Sequence, residues 1–510
     1  PMLPGKPTRS GGRRERSRTA FFRPSAVRGL QAARTEKRCD MEKKRPNLVY
    51  VFADQLRWTS LGYNGDALAR TPHIDALAAE SADMVNAVSG HPVCAPYRAS
   101  LLTGKYTTST GMVINEIRMN TRHRCFAHVL NDAGYDTSYI GKWHLYAAQL
   151  GHHFDAKNSF VPPGPDRLGF DGYFAAYNFH HRYYAPYAYY HLDTPEKIYA
   201  EGYEPDFMTD LALARMKEAA AGDRPFALFL SLGTPHDPWT ADNVPREYLD
   251  MFADTDFPLP PNYRADNDPH SDMWARFFPF ERRRLKEWMR VYYAMVANLD
   301  YNVGRLRAAL DGLGIAEDTV FVFTSDHGEM FGAHGRRAKN IFYDEAVRVP
   351  FLLRWGERIA PGKRDFCFNT PDIMPTLLSL MGLECPAEAE GSDLSACIKG
   401  EADSDGPSLL MGTGPTAVFG SGREWRGVRD KRFTYAVYRK DRKEYLFDNV
   451  EDPFQMNNLA QEPKFKGEKE RLKAAMYAKM RSLGDDFRDN LRYMGTWVKH
   501  RRIVKTATLK

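Results

Sequence analysis

Cysteine is scarce in this chain of 510 residues. There are six, Cys39, Cys94, Cys125, Cys367, Cys385 and Cys397, and no CxxC pair among them. That spacing argues against a structural zinc site and a dense disulfide framework, and Cys385 and Cys397 could pair. No stretch approaches eighteen consecutive apolar residues, so no transmembrane span is expected. The N-terminal region lacks a secretory apolar core, because Thr19-Ala20-Phe21-Phe22 is broken at once by Arg23-Pro24. With no export signal and few cysteines, the expected compartment is the cytoplasm. The bulk of the chain also lacks an excess of charge. The formal net charge is +6, but residues 1–40 hold eleven Lys and Arg against three acids, or +8, which leaves 6 − 8 = −2 for the rest. Basic residues confined to a tail do not form the basic face that nucleic acid requires, so neither nucleic acid nor membrane is an expected partner.

What is present is a succession of buried strands and helices. Asn47-Leu48-Val49-Tyr50-Val51-Phe52-Ala53 is an unbroken apolar run, as in a strand covered on both faces, and Phe226–Leu232 and Thr319–Phe323 repeat the pattern. Thr71-Pro72 opens one helix, Cys125 to Ala133 reads as another ended by Gly134, and Glu281 to Leu310 reads as a long one. This order predicts an α/β fold: a large mixed, mostly parallel sheet sandwiched by helices over residues 41–400. Residues 1–40 read as a basic disordered leader or upstream segment, with Met41 as a natural start. After the linker-like Glu401–Pro407, short strands and a helix over Lys464–Leu483 predict a smaller α+β subdomain with an antiparallel sheet, residues 401–510.

The strands end in ionisable residues: Asp54 and Gln55, Lys142 and His144, His236, and Asp326 and His327. Ligand sites of open α/β sheets lie beyond the carboxyl ends of the strands, so these four ends point to one site. Cys94 precedes Pro96 and Arg98 at what reads as a helix start, Ala99–Leu102. A thiol there is either structural or reactive. Between residues 146 and 205 lies an aromatic, histidine-rich insertion that includes Tyr177, His180 and His181. It reads either as a packed lid or as a cleft wall whose rings and hydroxyls meet a sugar-like substrate.

Taken in order, Asn47–Gln55, Thr71-Pro72-His73-Ile74-Asp75, Cys94–Gly104, Gly141-Lys142-Trp143-His144, Ser325-Asp326-His327-Gly328-Glu329 and Arg348-Val349-Pro350-Phe351 resemble the motifs of type I sulfatases, in the alkaline-phosphatase-like superfamily. The late Tyr445-Leu446-Phe447-Asp448 and Asn457-Asn458-Leu459 segments extend the match. The resemblance implies that Cys94 is oxidised to Cα-formylglycine by a formylglycine-generating or anaerobic sulfatase-maturating enzyme, with Pro96 and Arg98 as the recognition core. It implies a divalent metal at Asp54, Gln55, Asp326 and His327, calcium first and magnesium or manganese as alternatives. Arg98, Lys142, His144, His236 and Lys339 then serve catalysis, and His334, Tyr177, His180 and His181 meet the substrate. The implied reaction is hydrolysis of a sulfate ester, and the aromatic insertion makes a sulfated carbohydrate the expected substrate class. Gln55 and His327 resemble the variant found in phosphonate monoester hydrolases and in many bacterial sulfatases, so hydrolysis of phosphonate monoesters or phosphodiesters is the alternative, ahead of a non-catalytic binding protein. The chain departs from the commonest motif at Tyr97, where a small residue is usual.

Overall fold

The computed structural model describes residues 45–152 and 155–505. The expected leader, residues 1–40, and Cys39 lie outside them. The main sheet has eight strands: β1 (Asn47–Ala53), β2 (Ala82–Val88), β3 (Asp136–Lys142), β4 (Phe174–Tyr177), β5 (Phe226–Leu232), β6 (Thr319–Ser325), β7 (Phe351–Arg354) and β8 (Gly362–Asn369). Their order is β8-β2-β7-β6-β1-β5-β3-β4. Only β7 runs antiparallel to its neighbours β2 and β6, so the sheet is mixed and mostly parallel.

Both faces are covered. Leu48, Tyr50 and Phe52 of β1 enter one core and Val49 and Val51 the other, which is why the strand has no polar alternation. The first core is closed by α2 (Cys94–Thr103), α3 (Phe126–Asp132) and α6 (Thr370–Leu380). The second is closed by α1 (Pro72–Ala79), α4 (Glu204–Ala220) and α5 (Leu285–Gly312). Helix α2 begins at Cys94 itself, five residues earlier than the sequence suggests. Pro96 falls in its first turn, where a missing N–H costs nothing, and Gly104 ends it in the left-handed region at φ 64°. The long helix expected from Glu281 is divided. A short helix spans Pro279–Arg283, Glu281 accepting the N–H of Phe278 at 2.8 Å, and α5 starts at Leu285.

Strands β9 (Ser408–Gly412), β10 (Trp425–Arg429), β11 (Phe433–Tyr438) and β12 (Glu444–Asp448) form an antiparallel sheet in that order. Helix α7 (Lys466–Ser482) covers one face through Leu472, Met476 and Met480. The other face meets Ile341, Phe342 and Tyr343. Arg429 grips Asp344 at 2.9 and 3.0 Å, and Trp425 Nε1 donates to the Asn340 carbonyl at 3.1 Å. The small sheet is thus seated on the loop that follows Lys339. Cys385 and Cys397 are free thiols, so the bridge that their spacing allowed is not made.

Candidate active site

Strands β6, β1, β5 and β3 are consecutive in the sheet, and their carboxyl ends are level. Ala53 pairs with Ser325 on one side and Leu232 on the other, and Gly141 pairs with Ser231. Neighbouring strands lie ~4.8 Å apart, so the residues that leave these ends are brought within reach of one another. Asp54 follows β1, Lys142 ends β3, His236 lies just beyond β5, and Asp326 and His327 follow β6. Cys94, at the start of α2, faces the same point.

One ligand atom each from Asp54, Cys94, Asp326 and His327 lies within 4.8 Å of the others, and all four residues are buried. Cys94 Sγ is 3.2 Å from His327 Nε2 and 3.7 Å from Asp54 Oδ1. His327 Nδ1–H donates to the Gly328 carbonyl at 3.0 Å, which leaves Nε2 as a bare acceptor facing the cluster. Gln55 sits at φ 66°, and its N–H donates to Asp326 Oδ1 at 3.0 Å. Its Nε2 donates to Glu329 at 2.6 Å, so Oε1 turns into the site, where it accepts Lys339 Nζ–H at 3.0 Å. Burial and the Asp54 charge push the Asp326 carboxyl up from its ordinary range. Two carboxylates, an amide carbonyl and a bare imidazole nitrogen form a donor set that fits a hard divalent cation, and such a cation would relieve the repulsion between the two carboxylates.

Cations surround the cluster. Arg98 Nη1 donates to the Lys142 carbonyl and to Ser231 Oγ, each at 2.6 Å. Its Nη2 reaches Asp54 at 3.3 Å and Asp326 at 3.5 Å. Lys142 Nζ donates to Asp54 Oδ2 at 2.5 Å. Burial opposes ionisation of Asp54, but Lys142, His236, His327 and Arg98 outweigh it and hold the carboxyl well below its usual range. His236 Nδ1–H donates to the Asp237 carbonyl at 2.8 Å, and its Nε2 accepts Lys339 Nζ–H at 2.8 Å. Burial would lower Lys339, but the Cys94, Asp54 and Asp237 groups outweigh it and raise it.

The structure therefore brings Asp54, Gln55, Cys94, Arg98, Lys142, His236, Asp326, His327 and Lys339 together. His144, two residues after Lys142, is buried at φ 56°, its ring 4.8 Å from that of Phe179. The expected substrate contacts divide. His181 lines the cleft, stacked on His236 at 3.7 Å. Tyr177, the last residue of β4, is fully buried in the core and stacks on the half-buried His180 at 3.6 Å, and neither lines the cleft. His334 stacks on Tyr343 at 3.7 Å and hydrogen-bonds Asn262, lining a different pocket. The aromatic insertion is mostly core. Tyr183, for example, spends its hydroxyl on the Gly233 and His236 carbonyls, at 2.6 and 3.0 Å, and so holds the loop that carries His236.

A cleft of about 660 Å³ opens over Cys94, His236 and Lys339. Its aromatic wall is Trp239, Trp274 and Trp288, all outside the insertion, with Phe179 and His181 the insertion's contribution. Trp239 was legible in part, since it lies three residues after His236. Nothing local marks Trp274. Glu329 was visible only as a motif letter. It orients Gln55, and its other oxygen accepts the N–H groups of Phe331 and Ala338 at 3.1 and 2.8 Å.

The sulfatase family model matches residues 46–383, and a model for the C-terminal part of N-sulphoglucosamine sulphohydrolase matches residues 332–482. An ulvan-active sulfatase of Formosa agariphila is 37% identical over 458 residues, covering 89% of this chain and 84% of that protein. An N-acetylglucosamine-6-O-sulfatase of Bacteroides thetaiotaomicron is 26% identical, covering 82% and 83%. Among solved structures, the Bacteroides fragilis protein described as the sulfatase yidJ superposes with a TM-score of 0.75 at 29% identity, covering 88% of this chain and 97% of that one.

Proposed function

The chain belongs to the sulfatase family, and on that footing we propose that it removes sulfate from a sulfated carbohydrate, with residue 94 as the nucleophile after conversion. The observation that carries this reading is the position of Cys94. Its Sγ lies among Asp54, Asp326 and His327 and opens to the same cleft as His236 and Lys339. The carbohydrate substrate class is supported by the N-acetylglucosamine-6-O-sulfatase among the relatives.

Asp54, Gln55, Asp326 and His327 would hold a divalent cation, proposed as calcium because three of the four donors are oxygen. Bound there, it would supply positive charge against the sulfate oxygens. Residue 94, converted to formylglycine by a maturating enzyme and hydrated, would offer two hydroxyls: one attacks sulfur, and loss of the proton from the other later expels sulfate as the aldehyde re-forms.

The chain's own side chains do the rest. Arg98 ties Asp54 and Asp326 to the ends of β3 and β5, so the nucleophile is held by a frame and not by a loop. Lys142, 2.5 Å from Asp54, keeps that carboxylate ionised and places a cation beside residue 94. His144 takes the proton in the release step. His236 Nε2 and Lys339 Nζ share one hydrogen bond at the cleft wall, so one group protonates the departing sugar oxygen while the other holds it. A sulfate ester reacts chiefly through such positioning and charge neutralisation.

The test begins by confirming aldehyde at position 94 by mass spectrometry. Specificity constants are then measured, on one preparation, for sulfated saccharides, an aryl sulfate, a phosphonate monoester and a phosphodiester. The highest value is expected for a sulfated saccharide. Aldehyde-bearing, metal-loaded protein that turns over only phosphonates, or only the aryl sulfate, would overturn the proposal.

A further inference from the structure

The cleft is built for more than a sulfate group. Resting on the sulfatase reading, we propose that its outer half is a subsite for an acidic saccharide: Trp274 stacks on a sugar ring, and Arg284 and Arg337 take a second anionic group, a carboxylate or another sulfate, on the leaving saccharide.

The first observation is Trp274. Trp143, Trp425 and Trp497 are buried to within 1% of their surface, whereas Trp274 is 48% exposed at the cleft mouth. In the same cleft, Val418 on the loop after β9 is 38% exposed. An exposed indole and an exposed valine lining one cleft present apolar surface that a sugar face can cover. Behind them the wall is rigid. Trp239 Nε1 is fixed on the Pro235 carbonyl at 2.8 Å, and its ring lies 5.8 Å from that of Trp288.

The second observation is an accounting of the lining charges. Lys339, His236 and His181 belong to the reacting centre. Glu329 is committed to Gln55, Glu116 accepts the Gly151 N–H, and Asp237 lies 3.2 Å from His236 Nδ1. Two cations in the cleft remain outside this set, Arg284 and Arg337. Among the described residues Arg284 pairs with Glu287 one helical turn on, both about half exposed, and such a pair exchanges readily. Arg337 uses one Nη on Glu281 at 2.8 Å, and its Nε–H has no partner among the described residues. Its main-chain N–H donates to the Ala275 carbonyl at 3.0 Å, which sets it beside Trp274. It also stands two residues before Lys339, so an anion held by Arg337 lies on the side where the sugar departs. A guanidinium fork matches carboxylate and sulfate oxygens alike.

The experiment uses metal-loaded, aldehyde-bearing protein and four substrates: an aryl sulfate, a neutral monosulfated saccharide, the same sulfated sugar linked to a uronic acid, and the same sugar with a second sulfate. In the wild type, kcat/KM is expected to favour an acidic saccharide over the neutral one at least tenfold, and the preferred acidic arm identifies the anion. In Arg284→Gln and Arg337→Gln that ratio collapses, chiefly through KM, while Arg337→Lys recovers part of it. In Trp274→Ala both saccharides lose ground to the aryl sulfate. Equal turnover of neutral and acidic saccharides by the wild type, or a ratio that survives both arginine replacements, overturns the subsite. Failure to cleave any sulfate ester overturns the sulfatase reading itself, which is a different result.

Discussion

Gln55 Nε2 donates to Glu329 Oε2 at 2.6 Å, deep under the ends of β1 and β6. An amide has two ends of similar size and opposite polarity, and this bond, together with the Lys339 Nζ–H that Oε1 accepts at 3.0 Å, decides which end is the carbonyl. Glu329 therefore orients a proposed metal donor without touching the metal. Glu329→Gln removes the charge that orders the amide, and calcium affinity is expected to fall about 10–100-fold. Calorimetric titration of aldehyde-bearing protein checks this, and an affinity within twofold of wild type would show that Gln55 is held some other way.

Lys339 and His236 meet at 2.8 Å on the cleft wall. If they serve the leaving oxygen, their value depends on how badly that oxygen needs a proton. Lys339→Ala is expected to lower kcat/KM for a saccharide sulfate by about 10²–10⁴-fold, and far less for 4-nitrophenyl sulfate, whose phenolate departs unaided. Equal losses on both substrates would place Lys339 in binding instead.

Tyr97, the departure from the commonest motif, points away from Cys94. Its ring is buried 6.3 Å from that of Phe52, and its hydroxyl lies 3.2 Å from the Tyr50 hydroxyl. The large residue is tolerated because α2 turns it into the core beneath the sheet. Tyr97→Ala is expected to lose about 3–5 kcal/mol of stability through the cavity it leaves. Aldehyde content at position 94 should be unchanged. A fall in conversion without a fall in thermal midpoint would reverse that assignment.

These residues also show what the sequence could and could not disclose. The apolar runs of β1, β5 and β6, each followed by ionisable groups, carried enough pattern to yield the mostly parallel sheet and a site at its carboxyl edge. Strand order was not legible, yet the adjacency of β6, β1, β5 and β3 is what brings Asp326, Asp54, His236 and Lys142 within reach. The insertion misled because tyrosine is ambiguous: Tyr177 and Tyr183 are as easily core as cleft, and only the fold put them behind the sheet. Trp274 could not be placed because its loop follows no periodic element, and its role depends on a cleft closed partly by residues 416–418 of a distant segment.

Glu204 offers a test of the buried polar layer behind β4. It is the first residue of α4 and fully buried, with Oε1 3.3 Å from His180 Nε2. Burial raises the Glu204 carboxyl well above its ordinary value, and burial lowers His180 to about 3. With the folded pKa raised, the native chain keeps a proton that the unfolded chain releases near pH 4.5. Stability from this group is therefore full below pH 4.5 and is lost as pH rises toward the folded pKa. His180 has the opposite sign: its contribution is full above about pH 6.5 and is lost as pH falls toward 3, and the substitution leaves that residue in place. Glu204→Gln removes only the carboxyl titration. Its thermal midpoint relative to wild type should be nearly unchanged at pH 4.5 and should rise at pH 8. A midpoint shift that is the same at both pH values would mean that Glu204 is ionised in the folded chain, with His180 as its counterion.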